Sequence, residues 1–212
     1  MRRRLVFYAI TGVILALLIT GVYLSASQAY YERALAERFV GIFTSFKVGV
    51  TTEAEVQNIL RPFSPRIESV KAKRNSEESL SDPEERLYRV EFANGGLTTM
   101  HLADPAKFST GLIFHNGTLV TKVAALKRVG NHFCMAVVSE AVEEFSIHPP
   151  KESIHDGISV NEGGNPADLM HVRLYSDASE EVRKKAYEFN LSYLTSFSGC
   201  TNAHELLPEV VK

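Results

Sequence analysis

The feature that most constrains this chain is an uncharged apolar run of 20 residues, from Leu5 to Leu24. As a helix with a rise of about 1.5 Å per residue, it is about 30 Å long, which matches the hydrocarbon core of a bilayer. Three arginines precede the run and the next basic residue is Arg33, so the positive-inside rule places the N-terminus in the cytoplasm. The sequence therefore predicts a cytoplasmic stub at residues 1–4, a transmembrane anchor at 5–24 with the lipid bilayer as its partner, and an extracytoplasmic remainder.

A cleaved secretory signal is the alternative interpretation of the same run. Ser27-Gln28-Ala29 supplies small residues at the two positions that a signal peptidase inspects. The apolar core of a signal peptide is usually about 7 to 15 residues long, and the longer run here favours an uncleaved anchor. No cysteine lies near residue 25, so the chain does not follow the pattern of lipoproteins anchored through an acylated N-terminal cysteine.

The charge balance changes along the chain. The formal net charge is -2, from 23 basic and 25 acidic residues. Without the three N-terminal arginines, 20 basic residues face the same 25 acidic ones, which gives the exported part a net charge of -5. Nucleic-acid binding through phosphates requires a clustered positive field. We therefore expect no nucleic-acid partner.

Two helices are expected directly after the anchor. Residues 25–46 predict a juxtamembrane helix, because apolar side chains between Gln28 and Phe46 recur on one helical face. Thr52 and Glu55 form the pattern of a capping box that starts a second helix, which Pro62 ends. Both helices flank the remaining domain, predicted over residues 47–212.

Alternating apolar residues and turn dipeptides predict a mainly antiparallel sheet. Asn116-Gly117 favours a type I′ turn between strands at Gly111–His115 and Thr118–Leu126. A second hairpin is expected around Asn94-Gly95-Gly96. Its strands, and the others that the alternation predicts, are Arg86–Ala93, Leu97–Leu102, Arg66–Lys73, Phe133–Glu143 and Leu169–Tyr175.

The remaining segments complete an α+β fold. Asn75–Glu85 and Ser146–Pro166 have the composition of exposed loops, the latter with a short extended piece at Ile158–Val160. A last helix is expected from Ser179 to Phe197, with Gly199 after it as the C-terminal stop. The fold class is therefore α+β: an N-terminal transmembrane helix followed by a mainly antiparallel sheet flanked by helices.

Cys134 and Cys200 are the only cysteines and are 66 positions apart. In an oxidising compartment an even count favours a disulfide. Closing a loop of that length contributes on the order of 3 to 4 kcal/mol in the chain-entropy model. Two buried free thiols remain the alternative. A nucleophilic cysteine is disfavoured, because Cys200 follows a predicted helix C-terminus, whose partial negative charge opposes a thiolate.

No motif for catalysis, for a metal or for a nucleotide cofactor stands out, and we assign neither catalytic residues nor a cofactor. The seven histidines contain no i, i+4 pair and no H-E-x-x-H arrangement. His148, His155 and Asp156 form the best local group and lie in the 146–166 loop. Polar surface histidines explain them without a metal.

The stretch from Phe46 to Pro62 resembles the opening motif of the SmpA/OmlA family, small lipoproteins of the outer-membrane barrel-assembly machinery, and the related repeat of β-lactamase-inhibitor proteins. A glycine, an apolar residue and a threonine lead into a helix with a glutamate and a valine, here Gly49, Thr52, Glu55 and Val56. Arg61 stands where the family usually has glycine. The resemblance extends over residues 46–102 and implies a non-enzymatic module that holds other envelope proteins, without identifying binding residues.

Three functions are compatible with these patterns. The first is a membrane-anchored protein whose exported domain binds another protein or an envelope component. The second is an exported hydrolase or metal-dependent enzyme with its site near the 146–166 loop. The third is a small-ligand or lipid binder, which requires a deep apolar cavity against the sheet.

Overall fold

The computed structural model describes residues 2–71, 85–130, 132–142, 157–163 and 168–210. The helices and strands, in chain order, are α1 (Arg2–Phe43), α2 (Glu53–Leu60), β1 (Ile67–Lys71), β2 (Arg86–Ala93), α3 (Gly95–Thr99), β3 (Ala106–His115), β4 (Thr118–Val129), β5 (Phe133–Ala141), β6 (Ile158–Gly163), β7 (Leu169–Leu174) and α4 (Glu180–Ala186). Short 3₁₀ turns lie at Arg61–Arg66, Leu191–Leu194 and Ala203–Leu206.

The strands of this described part form one open sheet of seven, in the order β1-β2-β3-β4-β5-β7-β6. Every neighbouring pair is antiparallel except β5 and β7, which run parallel. This is because β6 forms the edge of the sheet and β7 lies between β6 and β5. Along β3 and β4, buried positions alternate with half-buried ones. One face of the sheet is therefore covered and the other is open, and the predicted α+β class is confirmed.

The N-terminal helix is one continuous element of 42 residues. Its first half is long and apolar enough to cross a membrane, and the most apolar window has no buried share. Its second half packs into the domain, where Ala29, Ala36, Phe39 and Phe43 are buried. The chain is therefore helical over most of the predicted range 25–46, but the helix ends at Phe43 and has no break from the apolar run.

The long helix runs along the domain from one end to the other. A Cβ atom added to Gly21 would lie 3.3 Å from Met100 Cε, just after α3. At the other end, the Phe43 ring lies 5.5 Å from the Tyr187 ring. The near end of the domain is the end that carries α3, the last residues of β4 and the first residues of β5. The far end is the opposite one, where β4 begins and β5 ends.

The capping box of α2 is confirmed. The Thr52 amide donates to Glu55 Oε2 at 2.8 Å, and the Glu55 amide donates to Thr52 Oγ1 at 3.4 Å. Hydrogen bonds from Thr52 lower the pKa of Glu55. Val56 and Leu60 are buried, whereas Ile59 is exposed.

The hairpin at Asn116-Gly117 is also confirmed. Both residues have positive φ, 53° and 75°, as a type I′ turn requires. The paired strands β3 and β4 are longer than predicted, because β3 already begins at Ala106 and β4 continues to Val129. The expected strands at Arg86–Ala93, Phe133–Glu143 and Leu169–Tyr175 are present as β2, β5 and β7, and β1 forms within Arg66–Lys73.

The predicted hairpin strand at Leu97–Leu102 is wrong, since the chain forms the short helix α3 there. The Asn94 side chain accepts a hydrogen bond from the Ala106 amide at 2.8 Å and donates to the Asp104 carbonyl at 2.9 Å. These bonds close a wider loop than a hairpin turn. A Cβ on Gly96 would lie 3.2 Å from Ser25 Cα, so glycine lets α3 approach α1 closely.

The predicted helix from Ser179 to Phe197 is too long. Ser179 caps α4 as expected, but the helix ends at Ala186. Beyond it, the Asn190 amide donates to the Leu206 carbonyl at 2.9 Å, and this tertiary bond replaces helical pairing. Phe197, the expected last residue of this helix, is exposed outside it, and Gly199 caps no helix.

Aromatic rings fill the space between the sheet and α1. Phe39 lies 5.6 Å from Phe92, and Phe108 lies 5.3 Å from Phe189. All are buried. A core filled in this way differs from the deep apolar cavity expected of a small-ligand or lipid binder.

The two cysteines meet at the near end. Cys134, on β5, and Cys200 have sulfur atoms 2.16 Å apart and Cα atoms 6.2 Å apart, at disulfide distance. Buried Arg128 reinforces the same connection, because its guanidinium donates to the carbonyls of Tyr193 and Ser196. The segment after α4 is thus tied to the sheet by covalent and polar links.

Candidate functional site

A cavity of about 730 Å³ opens at the far end of the domain. Three parts of the chain line it: residues Thr44–Val50 after α1, the neighbouring strands β4 and β5 through Lys122 and Glu140, and the first turns of α4. Backbone pairing of Gly49 and Thr51 with Leu119 holds the first wall against the start of β4. The cavity is therefore built on regular elements.

A buried ion network forms the floor of this cavity. Glu140 Oε2 lies 3.0 Å from Lys122 Nζ, and Glu140 Oε1 lies 3.0 Å from Arg183 Nε. The Lys122 and Glu140 side chains are only 2 % and 9 % exposed. One carboxylate serves two cations, which leaves the three groups with a net positive charge.

Lys122 is held by groups from three elements. Its Nζ donates to the Phe46 carbonyl at 2.7 Å and lies 4.9 Å from the centre of the Tyr187 ring. Burial lowers the pKa of Lys122, and Arg183 adds to this effect, while Glu140 opposes it. The ammonium is therefore desolvated but surrounded by a carbonyl, a carboxylate and an aromatic face.

Arg183 is held in place by several hydrogen bonds to the protein itself. Besides Glu140, its guanidinium donates to the carbonyls of Tyr175, Ser176 and Ala178. These bonds tie the start of α4 to the end of β7. The floor is thus a platform of paired charges, in which Glu140 Oε2 forms an ion pair with Lys122 but no hydrogen bond.

The rim has a different character from the floor. Lys47 and Glu180 face each other at 3.6 Å across the mouth, with side chains 70 % and 86 % exposed, so the pair contributes little to stability. Val50 is 69 % exposed, and Lys184 is exposed beside it on the lining. The rim offers an apolar contact and charges of both signs.

The residues singled out from sequence lie elsewhere. Cys134 and Cys200 are at the near end, opposite the cavity. His148, His155 and Asp156, like most of the 75–85 and 146–166 loops, fall outside the described residues. Among the residues that are described, no group of three histidine, cysteine or acidic side chains could hold a metal ion.

A serine–histidine contact on the open face of the sheet was not anticipated. Ser139 Oγ lies 2.8 Å from His171 Nε2, and burial, with Arg173, lowers the pKa of His171 and so favours the neutral ring. Ser139 sits inside β5, which is paired with β4 and β7 on both sides. Backbone amides there belong to the ladder and cannot form an oxyanion hole. The contact is a cross-strand link of the parallel pair.

Strand periodicity contains a signal for the ion network. Along β4, Lys122 lies on the same face as buried Ala124 and Leu126. Along β5, Glu140 lies on the same face as buried Ala136 and Val138. Because successive side chains of a strand point to opposite faces, both charges had to face the core. Buried charges are paired, so the pattern implied their contact.

No family model, no curated protein and no solved structure matches this chain. The cavity, the ion network beneath it and the long N-terminal helix are therefore the features from which a function is inferred.

Proposed function

We propose that this chain is a single-pass membrane protein, with its N-terminus in the cytoplasm, whose extracytoplasmic domain binds a segment of another envelope protein in the far-end cavity. The observation that carries the proposal is the cavity itself: about 730 Å³, with an ion-paired floor and an exposed mixed rim. Such a surface is suited to holding a polypeptide, since its rim offers apolar and charged contacts above a floor of paired charges.

The contacts of α1 support an uncleaved anchor. The exposed apolar side chains of its first half have no protein to cover them within the described structure. Residues before the cleavage point of the alternative interpretation pack on the domain: Gly21 meets Met100, Gln28 meets Gly96, and Ala29 is buried. Cleavage after Ala29 would remove the contacts with α3.

The same helix supports the position of the binding site. From Leu24 to Phe43, α1 is about 29 Å long at a rise of about 1.5 Å per residue. Because the helix is unbroken, the cavity beside Phe43 stands well above the expected bilayer edge. A neighbouring envelope protein can reach that height, whereas lipid cannot.

The family resemblance also supports a protein-binding site at the cavity. The motif that resembles barrel-assembly lipoproteins starts at Phe46, and its first residues form one wall of the cavity. Val48 and Val50 offer apolar contacts, and Lys184 offers a cation, whereas Lys47 already faces Glu180. The expected partner segment therefore carries an apolar side chain next to a carboxylate.

Site-specific cross-linking tests the binding function. A photo-reactive phenylalanine analogue placed at Val50 of the full chain, in membranes of the source organism, is expected to form one discrete adduct. The matched control at Ile59, exposed on α2 outside the cavity lining, is expected to form none. Lys184→Glu should weaken the Val50 adduct several-fold. Equal labelling at both positions, or none at Val50, would contradict the proposal.

Mass spectrometry of the chain extracted from membranes tests the anchor. We expect a mass that includes residues 1–29 and a protein that resists extraction by alkaline carbonate. A mature chain that begins at Tyr30 and is released in soluble form would contradict the anchor and favour the signal-peptide interpretation.

A further inference from the structure

We infer that the near end of the domain is itself immersed in the interfacial layer of the bilayer that holds α1, so that lipid headgroups and upper acyl chains are the partner of a second surface. This inference rests on the membrane anchor of the proposed function. It goes beyond that anchor because the surface belongs to the folded domain: Val129, Phe133, Leu169 and Phe197, at the strand ends beside α3.

The contacts of α1 fix the height of this surface. Met100 packs on Gly21, which lies inside the predicted span. The interfacial layer adds about 5 to 7 Å beyond the hydrocarbon core on each side, which is about four helical residues. Those residues are Ser25 to Gln28, which contact Gly96 of α3. Helix α3 therefore lies at the level of the headgroups.

Three loops share this level with α3. The Val129 amide donates to the Pro105 carbonyl at 2.9 Å, which joins the end of β4 to the loop after α3. Arg128 donates to the Ser196 carbonyl, and Cys200 meets Cys134. The β4–β5 turn, the loop before β3 and the segment around residue 197 thus form one continuous end of the domain.

Exposed apolar side chains concentrate there. Outside α1, the described chain exposes seven large apolar side chains, and four of them belong to this end: Val129 at 41 %, Phe133 at 40 %, Leu169 at 37 % and Phe197 at 61 %. The two phenylalanines are the only exposed ones among the described residues outside α1. In water such a group is unfavourable, whereas aromatic rings at the bilayer interface are favourable.

The charge beside this patch fits a lipid surface. Lys127 is exposed, and its Nζ lies 5.3 Å from the centre of the Phe133 ring. An exposed lysine whose ammonium lies over an aromatic ring suits the boundary between acyl chains and phosphates. A protein partner would require a complementary surface that reaches beneath the domain to the level of the lipid. The bilayer is already there.

The absence of tryptophan from the chain makes the test direct. Single tryptophans are introduced by Phe197→Trp and, separately, Phe133→Trp in the full chain, reconstituted in phosphatidylcholine–phosphatidylglycerol vesicles. Lipids brominated near the top of the acyl chain are expected to reduce the emission of both variants at least twofold. Lipids brominated deep in the acyl chain should quench them less. Leu15→Trp reports the span, and Val50→Trp reports the far end.

The outcomes separate this inference from the proposed anchor. If Leu15→Trp is quenched but neither phenylalanine variant is quenched more than Val50→Trp, the immersed surface is refuted and the anchor stands. If Leu15→Trp is not quenched, the anchor fails and the inference fails with it. If the tryptophan at 197 is shielded from aqueous iodide but not quenched by brominated lipid, a protein covers the surface and the inference is wrong.

Discussion

Replacing Glu140 with glutamine is expected to destabilise the domain much more than replacing Lys122 with methionine. In Glu140→Gln, the Lys122 ammonium, 2 % exposed, loses its counter-charge and is left with neutral groups such as the Phe46 carbonyl and the Phe43 and Tyr187 rings. Removing one partner of a buried ion pair costs about 3 to 5 kcal/mol. In Lys122→Met, Glu140 still has Arg183 at 3.0 Å, and an apolar chain of similar length fills the space. The Phe46 carbonyl loses its donor, so we expect a loss of about 1 kcal/mol.

Urea titration of the full chain in detergent, followed by the near-ultraviolet circular dichroism of its eight tyrosines, measures both variants. The free energy of unfolding should differ between them by at least about 2 kcal/mol, with Glu140→Gln the less stable. Equal losses would mean that the carboxylate is not the group that compensates Lys122. A larger loss for Lys122→Met would refute the reasoning outright.

The environment of Lys122 also predicts how the stability of the domain depends on pH. Because burial lowers the pKa of Lys122 below its ordinary 10.5, the folded protein binds fewer protons than the unfolded chain between the lowered pKa and 10.5. The stability contributed by this group therefore rises with pH across that interval and is smallest below it. Subtracting the Lys122→Met curve from the wild-type curve should show this rise, and a flat or falling difference would contradict the assigned environment.

Three further variants, measured by the same titration, test separate parts of the fold. Replacing Cys134 and Cys200 together with alanine should cost about 4 kcal/mol in the chain-entropy model, and dithiothreitol should shift the wild-type midpoint but not that of the double variant. Gly157→Ala should cost at least about 2 kcal/mol, since Gly157 has φ +72° and a Cβ would lie 2.4 Å from Ala178 N, whereas the control Gly95→Ala, with open space around it, should not destabilise. Thr52→Ala should cost about 1 kcal/mol by removing the cap of α2, and no measurable change would show that the cap is dispensable.

Local signals in the sequence were sufficient wherever the structure is local. The Asn116-Gly117 turn needs only two residues that tolerate positive φ, and β2 matches the predicted range of Arg86–Ala93 because its alternation is clear. Prediction failed where distant contacts decide. Gly95-Gly96 has the composition of a turn, yet the approach of α3 to Ser25, some 70 positions earlier, makes it helical.

The candidate site shows the same division. The motif from Phe46 to Pro62 identified no binding residues, although its first residues form one wall of the cavity. The alternation of β4 and β5 contains the signal that Lys122 and Glu140 face the core, but it was not used to predict a site. Nothing local indicates that Arg183, in the first turns of α4, completes the network. In the structure, α4 ends at Ala186 and Tyr187 packs beside Phe43. Helical periodicity alone predicted that the helix continues beyond Ala186 and Tyr187.

The unbroken course of α1 from the apolar run into the core means that the proposed anchor has no hinge at the membrane surface. A soluble domain on a flexible stalk samples many orientations, but here the tilt and azimuth of the domain follow those of the span. Inserting one residue after Leu24 would turn the span by about 100° relative to the domain, at about 3.6 residues per turn. A thinner bilayer tilts the span, and the domain would tilt by the same angle and carry the far-end cavity sideways. Bilayer thickness would therefore influence which neighbouring protein the cavity can contact.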